Sequence, residues 1–474
     1  MAAVAPSATR PGLDALLAEL CDGPLQSWDE PLAPPPAHAD TAEYRAALHA
    51  ARERSGHDES VRTGEARIGG HRVAIVAGDF AFLAGSIGVR AADRILAAIE
   101  RATAARLPLL GITASGGTRM QEGTPAFLRM AEIAAALTEH RRAGLPYLTY
   151  LRHPTTGGVL ASWGSLGHVT FAEPGALIGF LGPKVYAALH GGPFPPGVQT
   201  AENLHAHGLV DAVVTPSTLR GAVCKVLDLA SGPRPAPLLS PAPAGPAPDP
   251  WTCVTVTRDP ARPGLRAVLA AADDVLELAP APGARLALTR FAGTPCVLIG
   301  HDRGDPRPAG PGALRLVLRA TELATELGLP LVTVIDTGGS ELSISAEEQG
   351  TAQHIARCLA ALTSLPVPSV SVLLGQGAGG AALALLPADR VVATRHSWIA
   401  PIPPEGASAV LHGTADHAAE LAAAQHIRVA DLGLADVVVE DTDPGVFPVH
   451  VAAAIGAQLR AALHAPRSRR LRPI

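Results

Sequence analysis

At 474 residues, with 47% apolar and 17% charged side chains, the chain has room for two or three globular domains, each with a full core. The formal net charge of −5 argues against a nucleic-acid binder, which shows a strongly basic domain. Cys21, Cys224, Cys253, Cys296 and Cys358 are scattered with no C-x-x-C pair, which argues against a zinc ribbon or a disulfide framework and predicts a reducing, cytoplasmic setting; no apolar run is long enough for a bilayer.

In chain order, residues 1–60 read as an appendage: a short helix at Leu13–Leu20, a proline-rich piece at Pro31–Ala39 and a charged helix at Thr41–Arg54. A first domain, 61–230, opens with two alternating segments, Gly64–Ile68 and Arg72–Ala77, around Gly69-Gly70, a hairpin signal. A glycine-rich loop at Phe80–Gly88 and an amphipathic helix at Ala91–Ala105 follow. Next come an apolar run ending in Gly116-Gly117, a helix over Ala126–Arg142, and a second run ending in Gly157-Gly158 with a helix from Val159. Strands alternating with helices predict parallel pairing through crossovers. Residues 231–250 hold eight prolines and read as a stiff linker. A second domain, 251–465, repeats the plan with strands at Arg285–Arg290 and Cys296–His301 and a helix at Ala313–Leu327, before a basic tail at 466–474.

The repeat is metric. Leu107-Pro108-Leu109-Leu110 recurs as Leu329-Pro330-Leu331-Val332, and Gly117 recurs as Gly339, both at an offset of 222 residues. Gly117 and Gly158 lie 41 residues apart, as do Gly339 and Gly380. Self-similarity at one offset means two copies of one domain.

Conventional catalytic groups are scarce. There is no G-x-S-x-G, H-E-x-x-H or P-loop lysine. Ser115 has no histidine placed to activate it. His153 reads as a positioned side chain, Asp336 as support for its loop, and Glu347-Glu348 as a helix start after Ser345. What remains is strand–Gly-Gly–helix geometry, which turns backbone N–H groups into a pocket beside a helix N-terminus. Two such cradles suit a reaction that develops charge on two oxygens and takes its base from a substrate.

Four stretches of the first half closely resemble the β subunit of bacterial acetyl-CoA carboxylase carboxyltransferase. They are Asp79-Phe80…Gly85-Ser86-Ile87-Gly88, the run Ala114–Gly123, His153–Val159 and Ala172–Phe180. Ile335–Gly339, Ala346–Gly350, Gly380–Leu385 and Pro404-Glu405-Gly406 resemble its α subunit. The resemblance implies an α/β fold of two tandem crotonase-like ββα-spiral domains and a carboxyl group moved from carboxybiotin to the α-carbon of acyl-CoA, giving malonyl-CoA for fatty acid biosynthesis when the acyl group is acetyl. It further implies that N–H groups around Gly116, Gly117, Gly157 and Gly158 stabilise a thioester enolate, with Gly85, Ser86 and Gly88 beside the CoA. Gly380 and Ala381 would serve the biotin ureido oxygen, with Gly338, Gly339 and Gly379 on the biotin side. Arg119 and Lys184 become candidates for the CoA phosphates. A separate biotin carrier, a biotin carboxylase and a homo-oligomer are expected, and no metal.

Three departures mark the chain: it lacks the family's four-cysteine zinc ribbon, it has Gly380-Ala381 for Gly-Gly, and it has Asp336–Ser343 for Asp-Thr-Pro-Gly-Ala-Tyr-Pro-Gly. A biotin-independent malonyl-thioester decarboxylase and a non-catalytic subunit of an acyl-CoA-handling complex are the alternatives.

Overall fold

The computed structural model describes residues 10–32, 34–237 and 244–464; residues 238–243 of the expected linker and the expected basic tail lie outside them. The chain forms two compact units, Met1–Asp228 and Leu229–Ile474. No helix among the described residues is long and apolar enough to cross a membrane.

The first unit is built on an eight-stranded sheet: β1 (Gln26–Ser27), β2 (Val61–Ile68), β3 (His71–Gly78), β4 (Leu109–Ser115), β5 (Tyr147–Thr156), β6 (Val169–Ala172), β7 (Ile178–Gly179) and β8 (Ala212–Val213). β2 and β3 form the expected hairpin, closed at Gly69 and Gly70, whose positive φ angles of 57° and 85° the turn requires. From β3 onward every pairing is parallel, in the order β3-β4-β5-β6-β8, with β7 beside β5. All seven residues of β4 are buried, as befits a strand covered on both faces. The helix Val89–Ala104 presents Ala91, Ile95, Ala98, Ile99 and Ala102 to this core, a helical stripe.

The second unit repeats the topology with β9 (Asp274–Glu277), β10 (Ala284–Phe291), β11 (Thr294–His301), β12 (Leu331–Thr337), β13 (Ser369–Ala378), β14 (Arg390–Thr394), β15 (Trp398–Ala400) and β16 (Val437–Val439). β10 and β11 are the antiparallel hairpin, and the order from β11 to β16 is again parallel. The duplication reaches the irregularities: the β4–β5 register slips between Thr113 and Ser115, and the β12–β13 register between Ile335 and Thr337, at the same 222-residue offset.

The residues expected as an appendage pack onto the first unit. Leu13, Leu16, Leu17 and Leu20 are buried along one helix, and Tyr44, Leu48 and Ala51 of the helix Ala42–Ser55 enclose Phe82. The start expected at Ser345 is displaced: Ser343 caps the helix Ile344–Glu348 by accepting the Ala346 N–H at 3.0 Å.

Candidate active site

Each glycine cradle sits where parallel strands end. In the first unit the Gly116 N–H donates to Ala84 O at 2.9 Å and the Gly157 N–H to Phe180 O at 3.0 Å, so these two amides are spent on holding loops. Gly117, at φ 108°, donates to Ser115 Oγ at 3.0 Å. A Cβ at Gly117 would stand 3.7 Å from the Gly158 nitrogen, which places the two turns against each other. Gly158 is the second residue of the short helix Gly157–Leu160, and its N–H has no partner among the described residues. Of the four amides, Gly158 offers the bare donor.

The second unit reproduces the hydroxyl-held turn and the bare helix-start amide. The Gly339 N–H donates to Thr337 Oγ1 at 3.2 Å, Gly379 has φ 71° where Gly157 has 60°, and the Gly380 N–H has no partner among the described residues. Ala381 departs from the pattern, because its N–H is taken by Ser340 Oγ at 3.2 Å. Gly338 and Gly339 line a cleft of about 390 Å³ together with His301, Arg303, Asp336 and Gln376.

Arg119 does not reach a phosphate site. It is fully buried, with Nη1 2.5 Å from Glu59 Oε1 and 3.4 Å from Glu122 Oε1, and Nη2 donates to Ser60 Oγ at 3.1 Å and Ser86 O at 2.7 Å. Tyr44 closes the knot with a hydroxyl on Glu122. Gly85 and Gly88 serve the same packing: a Cβ on Gly85 would fall 1.9 Å from Ala114 O, and one on Gly88 2.4 Å from Glu122 Oε1. Gly85 thus packs against the strand end before Gly116, while Gly88 and Ser86 pack against Glu122 and Arg119. Lys184 belongs to the helix Pro183–His190, and its side chain lies outside the described part.

Ser115 is buried, its hydroxyl donating to Gly85 O at 2.6 Å, a loop tie and not a nucleophile. His153 Nδ1 accepts the Leu177 N–H at 3.1 Å, in line with a positioned side chain. Trp163 and Trp398 are core residues, the latter donating to Thr257 Oγ1 at 2.9 Å, whereas Phe180 is exposed. Met120 and Leu342, again at the 222-residue offset, are 85% and 93% exposed beside their cradles.

Residues 37–457 match the carboxyl transferase domain family. The chain belongs to that family. It is 54% identical over 472 residues, 95% of this chain and 94% of the relative, to a probable biotin-dependent acyl-coenzyme A carboxylase beta3 subunit of Mycobacterium tuberculosis. It is 39% identical over 442 residues, 86% of this chain and 78% of the relative, to the acetyl-coenzyme A carboxylase carboxyl transferase subunits beta/alpha of Salinispora arenicola. In fold it is similar to a transcarboxylase 12S hexamer structure with hydrolysed methylmalonyl-coenzyme A bound, at TM-score 0.79 and 20% identity over 98% of this chain and 91% of that one. A single-chain, multi-domain long-chain acyl-CoA carboxylase gives TM-score 0.72 and 21% identity over 95% of this chain and 46% of that one. Both units thus have the crotonase-like fold, and the chain is a carboxyltransferase subunit of the biotin-dependent acyl-CoA carboxylase family.

Proposed function

We propose that the chain transfers a carboxyl group between carrier-bound biotin and the α-carbon of acyl-CoA, with acetyl-CoA the foremost acceptor and malonyl-CoA its product. The observation that carries this reading is the recurrence, 222 residues apart, of one bare helix-start amide, Gly158 and Gly380, beside a strand-end turn held by its own hydroxyl. On this reading the first unit holds acyl-CoA, with the Gly158 N–H directed at the thioester oxygen, and Lys184 serves the CoA phosphates. The second unit holds the ureido ring, with the Gly380 N–H directed at its oxygen. Biotin, when delivered, supplies the carboxyl group and the base that takes the α-proton. The chain's own part is to bind, orient and offer fixed donors where negative charge grows, an effect worth on the order of 10²–10³ in rate per donor.

A biotin carrier and a biotin carboxylase are the partners of this reading. The exposed Met120 and Leu342 beside the cradles suit apolar cover from another copy of the chain in a homo-oligomer. The test is to incubate the pure protein with malonyl-CoA and biotinylated carrier and to follow label from malonyl-CoA onto the carrier. Transfer that requires biotin on the carrier supports the reading. Release of CO2 without carrier would make the chain a decarboxylase, and silence with malonyl-, methylmalonyl- and long-chain 2-carboxyacyl-CoA alike would overturn catalysis.

A further inference from the structure

The first cradle offers one bare amide, that of Gly158, and beside it stands a hydroxyl that nothing engages. Thr118 follows the Gly116-Gly117 turn and is half-buried. A Cβ at Gly158 would stand 3.0 Å from Thr118 Oγ1 and 3.4 Å from Met130 Cγ, so the threonine side chain lies against the first turn of the helix Gly157–Leu160, next to a buried methionine. Thr118 Oγ1 has no hydrogen-bond partner among the described residues.

The residue is held in place by its backbone. The Ile87 N–H donates to Gly117 O at 2.9 Å and the Ile87 carbonyl accepts the Arg119 N–H at 2.9 Å, a bridge of the parallel kind that brackets Thr118. A β-branched side chain on a fixed backbone has few rotamers, so the hydroxyl is aimed before any ligand arrives. At the 222-residue offset the second unit has Ser340, whose oxygen accepts the Ala381 N–H at 3.2 Å. The same place in the two copies thus holds an engaged hydroxyl on one side and an unengaged one on the other.

One amide is a single donor, whereas an oxygen on which negative charge grows has lone pairs for at least two. Within one residue the nitrogen and Cβ lie about 2.5 Å apart, so Thr118 Oγ1 is at most about 5.5 Å from the Gly158 nitrogen. A single oxygen about 2.9 Å from each donor bridges such a separation.

We propose that Thr118 is a catalytic residue of the first cradle, its hydroxyl donating to the thioester oxygen alongside the Gly158 N–H. The assignment rests on the function proposed above, which supplies the thioester. When the α-proton is taken, the electron pair settles on that oxygen; both donors hold the charge and keep their own protons.

Two variants of the full chain test it, each checked for folding by thermal unfolding. Thr118→Val keeps the shape and removes the hydroxyl, with Thr118→Ala in reserve should valine not fold; Thr118→Ser keeps the hydroxyl. In transfer from malonyl-CoA to biotinylated carrier, Thr118→Val lowers kcat by at least about tenfold and moves KM for malonyl-CoA by less than about threefold, as loss of a bond made in the transition state does. Thr118→Ser recovers most of the rate. Wild-type kcat in Thr118→Val, a loss carried by KM alone, or equal loss in the valine and serine variants overturns the role.

A second measurement needs no transfer: the carbonyl stretch of isotope-labelled acetyl-CoA by difference infrared spectroscopy. Bound to the wild type and to Thr118→Ser the band lies below its position in water, and in Thr118→Val it moves back toward it. Normal transfer with a band blind to Thr118 refutes the hydroxyl while the function stands. A Thr118-dependent band in a protein that transfers nothing refutes the function and not the contact. No bound band together with no transfer overturns both.

Discussion

Replacing Arg119 with methionine separates a structural cation from a ligand-binding one. The guanidinium is fully buried between Glu59 and Glu122, both themselves without exposure, and also serves Tyr44, Ser60 and the Ser86 carbonyl. Methionine fills much of the volume but leaves two carboxylates enclosed with no counter-charge. Breaking a buried pair from one side costs about 3–5 kcal/mol. For a unit of this size, each kcal/mol moves the midpoint by roughly 2–4 °C. The expected fall in Tm is therefore on the order of 10 °C, read by differential scanning fluorimetry. The Glu59→Gln, Arg119→Met double variant should recover part of the loss, because only one carboxylate stays uncompensated. An unchanged midpoint together with a raised KM for the CoA thioester would refute this reasoning and return Arg119 to the phosphate role.

Ser115→Ala should lower the urea midpoint by the equivalent of about 1–3 kcal/mol, since it strands the Gly117 N–H. Its kcat should fall by no more than about tenfold, whereas loss of a nucleophile removes roughly 10⁶. Gly85→Ala should yield little soluble protein, because its Cβ would lie 1.9 Å from Ala114 O at a φ of 63°; recovery at wild-type yield would sink the packing role. His140 is buried, and burial pushes its pKa down to about 4 from 6.5. The unfolded chain therefore binds the proton first, and stability falls as pH drops through 6.5 toward 4, by up to about 3 kcal/mol. His140→Gln should flatten that slope in urea titrations at pH 4.5 and 7, and an identical slope would dispose of the assignment.

The duplication was plain in the sequence because both halves keep the spacing of strand, glycine pair and helix, a pattern set by local backbone needs. The donors were less legible. Gly116 and Gly157 lose their N–H groups to Ala84 and Phe180, loops 32 and 23 residues away, and no local rule reports such a pairing. Arg119 misled because arginine beside a glycine turn reads equally as an anion ligand, and its partner Glu59 lies 60 residues upstream. The Asp336 cleft had a visible trace in the difference between aligned halves: an alanine answers an aspartate at the strand end. Reading the copies against each other, rather than only for their likeness, would have found it. The buried Leu13–Leu20 stripe was present in the sequence too, but its tie to the sheet, Arg62 of β2 on Asp14, joins residues 48 positions apart.

The shared irregularity at residues 114 and 336 has a consequence for how such a protein can be altered. Because the main chain already bends there in both copies, the side chain can be exchanged without recasting the strand, so one position tunes polarity while the amide beside it stays fixed. Gene doubling has given this scaffold a spare socket, and filling it differently on each side lets twin pockets part ways in what they hold.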